Sequence, residues 1–97
     1  MREIPNKVNI LGRDFDVIKE KFSDHANTHI GSTVMVSQKI WIDTDVHKQQ
    51  QEETLIHEII ETIDTMCELN LEHPDMSVLS TSLYQVLKEN KLIFGDE

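Results

Sequence analysis

The chain has one cysteine, Cys67, in 97 residues. A lone thiol excludes any disulfide within the chain, so the expected setting is a reducing compartment. Three glycines and two prolines are too few for a linker, a collagen-like repeat or a low-complexity tract. Aromatics are 5% of the residues, so the expected core is aliphatic. Basic residues are also scarce: 9 Lys and Arg stand against 18 Asp and Glu, a net charge of −9. A phosphate-backbone binder needs a basic face, and anionic lipid attracts basic clusters, so neither direct nucleic-acid binding nor membrane docking is expected. No apolar run approaches the roughly 20 residues of a membrane helix, and the opening MREIPNKVNIL has no secretory apolar core. The expectation is a soluble cytoplasmic protein forming one domain over residues 1–97, large enough to bury a core. Cationic metals, basic or neutral peptides and other basic partners remain open. Oligomeric state is left open.

Two periods divide the chain. Ile4–Leu11, with Val8 and Ile10 on one face, and Asp14–Lys19, alternating through Phe15, Val17 and Lys19, flank a turn at Gly12-Arg13, which predicts a hairpin. Residues 22–31 are polar and irregular and read as a long loop. Two further strands are predicted at Ser32–Val36 and Lys39–Asp43, the latter with Ile40 and Ile42 inward and Trp41 outward. From Asp45 to about Leu69 there is no Gly or Pro. Leu55, Ile56, Ile59, Ile60, Ile63, Met66 and Cys67 recur at helical spacing and make one apolar face, behind N-cap candidates in Asp43-Thr44-Asp45. Asn70-Leu71-Glu72 interrupts the pattern. His73-Pro74 then opens a second helix, with Met76, Leu79, Leu83, Val86 and Leu87 as its expected buried stripe. Leu79 and Leu83 are expected to pack on Ile59, Ile63 or Met66. The fold class is α+β: a small, mostly antiparallel sheet packed on a long helix and a C-terminal helix.

The stretch Leu55-Ile56-His57-Glu58-Ile59-Ile60-Glu61 carries the chemistry. His57 and Glu61, four residues apart, share a helix face. Imidazole and carboxylate are both zinc donors, and Glu58 lies one residue further round, where it can act on a water without ligating. A catalytic zinc site needs a third protein ligand, and His73, just beyond the helix end, is the candidate. The pattern admits a second interpretation. Glu58, Glu61, Asp64 and Glu68 also make an ordinary solvated acidic face, with His57 a surface or packing residue. His25, His29 and His47 read as surface residues, Cys67 as a small core residue, and Tyr84 as a packing residue that could reach an oxyanion only if the last helix faced the site.

The segments IPNKVNIL, KIWID, TLIHEIIETID and LEHPDMSVLSTSLYQVLKEN together resemble a family of small bacteriophage and prophage proteins described as minimal zincin-like and metallopeptidase-type. The resemblance spans nearly the whole chain. It implies a small sheet on a metal-binding helix with a further helix behind. It also implies that His57, Glu61 and His73 are metal ligands and Glu58 the general base. The chain carries Glu61 where the H-E-x-x-H form has a second His, which lowers the net charge of the site. The function so implied is zinc-dependent peptide hydrolysis in a bacterial host cell; apart from the resemblance, an exposed strand near Lys39–Asp43 is expected to hold an extended peptide by β-addition. The rival is a non-catalytic acidic protein that binds and inhibits a host protein by nucleic-acid mimicry.

Overall fold

The computed structural model describes residues 3–22 and 31–92. Four strands, β1 (Lys7–Ile10), β2 (Arg13–Glu20), β3 (Gly31–Val34) and β4 (Lys39–Asp43), precede two helices, α1 (Lys48–Cys67) and α2 (His73–Glu89). His25 and His29 lie outside the described residues.

The β1–β2 hairpin forms because Leu11 (φ 50°) and Gly12 (φ 88°) both take the left-handed region. A two-residue loop with that geometry matches the twist of its flanking strands. Asn9 closes it, its Oδ1 accepting from the Gly12 N–H at 3.1 Å. β3 and β4 make a second antiparallel pair across Met35–Gln38, with Gln38 at φ 53°. The two hairpins join through β2 and β4, which run parallel, so the strand order is β1-β2-β4-β3. The α+β architecture is as expected, but the sheet is mixed. The parallel pairing sets β4 inside the sheet and leaves β3 on its edge. Period-2 alternation shows which face of a strand is buried; it carries no information on which neighbour the strand selects.

Phe15, Val17, Ile40 and Ile42 point from the sheet to α1 and meet Leu55 and Ile56 there, with Ile4 and Ile10 completing the core. Phe15, Ile40 and Ile42 are fully buried. Phe15→Ala should therefore cost about 3–5 kcal/mol of unfolding free energy in a denaturant titration, the range for emptying an aromatic core position.

α1 starts later than expected. Asp43 does not cap it; its Oδ1 accepts from the N–H groups of Phe22 (3.1 Å) and Asp45 (2.9 Å), tying the end of β4 to the end of β2. His47 is the N-cap, its Nδ1 accepting from the Gln49 N–H at 3.1 Å. Cys67 is exposed rather than part of the core.

The outward face of α2 is also a correction. Met76 and Ser80 are buried, and Tyr84 and Leu87 pack against the core, whereas Leu79, Leu83 and Val86 are exposed by 48%, 44% and 46%. α2 is thus rotated away from its most apolar stripe. Polar contacts decide the rotation. Glu52 of α1, 2% exposed, accepts from Tyr84 Oη (2.7 Å) and Lys88 Nζ (3.0 Å). A buried carboxylate left without those partners would cost several kcal/mol, more than a half-exposed leucine recovers. Leu83→Ala should accordingly change stability by no more than about 0.5 kcal/mol, as at a surface position. A loss above roughly 2 kcal/mol in the same titration would mean that the stripe is covered in solution.

Candidate metal centre

His57 and Glu61 stand one turn apart on α1, with His57 Nε2 2.5 Å from Glu61 Oε2, both side chains partly buried. His73 reaches them because the chain reverses sharply after α1. Glu68 (φ 52°) and Asn70 (φ 61°) are left-handed. Asp64 holds the reversal: its carbonyl accepts from the Leu69 N–H (3.1 Å) and its Oδ1 from the Leu71 N–H (2.8 Å). Pro74 then starts α2 directly behind His73. The His57 and His73 rings meet edge to face, with centroids 5.1 Å apart. One donor atom from each of His57, Glu61 and His73 lies within 4.8 Å of the others, and the group can hold a metal ion. All three expected ligands are brought together, from two helices.

Glu58 is 5% exposed, which removes it from any solvated acidic face. Its Oε1 accepts from Thr33 Oγ1 of β3 at 2.6 Å. Burial is the main cause that raises its carboxyl above the usual carboxylate range; nearby Glu61 adds to the rise, while the Thr33 hydrogen bond and His57 oppose it. Gly31, at the start of β3, lets the helix come this close. A Cβ there would overlap Thr54 Cγ2 and sit 3.1 Å from Glu58 Oε2. Gly31→Ala should cost about 1–3 kcal/mol, as overpacking does, read as a lowered melting temperature. An unchanged melting temperature would show that β3 does not approach α1 so closely.

Two cavities open beside these groups. One, about 360 Å³, extends toward Gln50, Glu53 and Thr54. The other, about 330 Å³, extends toward Met35, Thr62 and Thr65. Gly31, Glu58, Glu61 and His73 line both, so the donor group sits between two hollows along α1. Among the described residues neither has a Lys or Arg in its wall.

His57 Nδ1 lies 3.3 Å from Ser80 Oγ of α2. Tyr84 is not at the centre; its hydroxyl is given to Glu52, and burial together with that carboxylate raises its pKa. Lys39–Asp43 is paired on both sides, so it offers no free edge for a peptide, and β3 occupies that position instead. Sequence reasoning did not single out Thr33, Gly31 or Ser80. Ser80 had a usable signal, since it stands two turns after His73 on the same helix face. Thr33 had none, because its meeting with Glu58 spans 25 residues and depends on sheet order. No described protein family, no curated protein and no solved structure matches the chain.

Proposed function

We propose that this chain is a zinc-dependent, zincin-like peptidase of the small phage type. The observation that carries this is the convergence of His57, Glu61 and His73 beside a buried, hydrogen-bonded Glu58. Two imidazoles and one carboxylate are the donor set of several catalytic zinc sites. One donor atom of each lies within 4.8 Å of the others, so His57, Glu61 and His73 are the residues that would hold the ion. Zinc held there would supply a Lewis acid for the scissile carbonyl and lower the pKa of a water. Glu58 takes the proton of the attacking water and delivers it to the leaving amine. Thr33 keeps its carboxylate aimed at the cleft. The outer edge of β3, unpaired among the described residues, lines the peptide up as an added strand, with main-chain hydrogen bonds giving affinity. The acidic walls exclude anionic side chains and favour neutral or basic ones.

The test is zinc content together with proteolysis. Purified protein, dialysed without chelator, should retain about one zinc per chain and cleave a mixed peptide library in a chelator-sensitive manner. Protein that takes up no zinc when it is offered, or a zinc-loaded form that cleaves nothing in the library, would overturn the assignment. The acidic charge of −9 is equally what a binder of a basic host surface would carry; the placing of Glu58 beside three metal donors favours the peptidase reading.

A further inference from the structure

Ser80 is 1% exposed and belongs to neither the donor group nor the apolar core. Its hydroxyl has one proton to donate and lone pairs to accept with. The proton is directed at the Ser77 carbonyl oxygen, 3.0 Å away in its own helix. The remaining near neighbour is His57 Nδ1 at 3.3 Å. With its proton so directed, the Ser80 oxygen is placed to accept a hydrogen bond from Nδ1 of the ring. The ring's other nitrogen, Nε2, is turned to Glu61 Oε2, toward the donor group.

We propose that Ser80 is a positioning residue of the metal centre: it holds the His57 ring in one orientation and in the tautomer that presents Nε2 to a metal. This rests on the zinc assignment above. A ligating imidazole is generally fixed by the hydrogen bond its other nitrogen makes, and that partner sets both ring angle and basicity. Carboxylates and backbone carbonyls commonly fill the role; here a serine hydroxyl fills it, its own direction fixed by Ser77. The placement also has a consequence for assembly. His73 and Ser80 are seven residues apart on α2, two turns along one face. Docking α2 onto α1 thus delivers a ligand and the orienting group for another ligand in one step.

The experiment uses the full chain. Zinc affinity is measured by chelator competition for wild type and Ser80→Ala, and the zinc-loaded proteins are compared by long-range proton–nitrogen NMR of the His57 ring. The expected result for wild type is a proton on Nδ1, metal-shifted Nε2, and a slowly exchanging ring N–H. Ser80→Ala should keep its helical circular dichroism, lose the slow exchange, and bind zinc about 10–100-fold more weakly. A merely space-filling serine would leave the ring signal untouched. Zinc affinity within about twofold of wild type, or ligation through Nδ1 in the wild type, would overturn the inference while sparing the zinc assignment. Wild-type protein that binds no zinc would end both.

Discussion

Changing His73 to alanine should strip the protein of zinc while leaving it folded. His73 is exposed and lies at the first turn of α2, where Glu72 is the N-cap and Pro74 pre-sets the helical backbone. Its ring buries little, so the fold loses little with it. A metal held by this group would, however, lose one of its three protein donors, the one that α2 contributes. The drop in affinity should exceed the roughly 10–100-fold that follows loss of an outer hydrogen-bond partner. Two measurements check it. Metal content after dialysis should fall from about one zinc per chain to near none. The melting temperature of wild type should rise on adding zinc, since a ligand at a hundred times its Kd contributes about 2.7 kcal/mol to the folded state. The variant should show almost no such rise. Zinc held by His73→Ala as tightly as by wild type would mean that the third donor has been misassigned.

Glu58→Gln should silence hydrolysis and keep the metal. Glutamine preserves the shape and an oxygen that accepts from Thr33 Oγ1, so β3 and α1 stay in register. The variant cannot accept a proton at the working pH. Loss of a general base costs about 10²–10⁴-fold in rate, while His57, Glu61 and His73 remain to bind zinc. The assay is peptide cleavage by protein of verified zinc content. Undiminished cleavage by Glu58→Gln would remove this carboxylate from the mechanism whatever metal is bound. If the chain acted only as an acidic binder, the same change would alter one carboxylate among 18 acidic residues and shift partner affinity by about 1 kcal/mol or less.

Much of the candidate site was legible before any coordinates, because it is local. The spacing of His57, Glu58 and Glu61 is set by the 3.6-residue turn of a helix whose apolar face is plain in the composition of residues 55–66. His73 is one short turn away, and Pro74 behind it marks where the next helix begins. The two hairpins are local for the same reason: alternation on either side of a tight turn specifies the pairing.

The tertiary structure decided what spans the sheet and joins the helices. That β2 pairs with β4, that β3 is therefore the edge, and that Thr33 meets Glu58 all follow from contacts between segments remote in sequence. Alternation is blind to strand order, since every order buries the same inward residues. The rotation of α2 was hidden likewise. Its apolar stripe argued for Leu79 and Leu83 inward, and the helix turned instead to give Glu52 its Tyr84 and Lys88 partners and His57 its Ser80 contact. Hydrophobic periodicity ranks faces by transfer free energy alone. A buried carboxylate and a ring nitrogen that need specific donors and acceptors outweigh two half-exposed leucines, and only the packed structure brings those needs together.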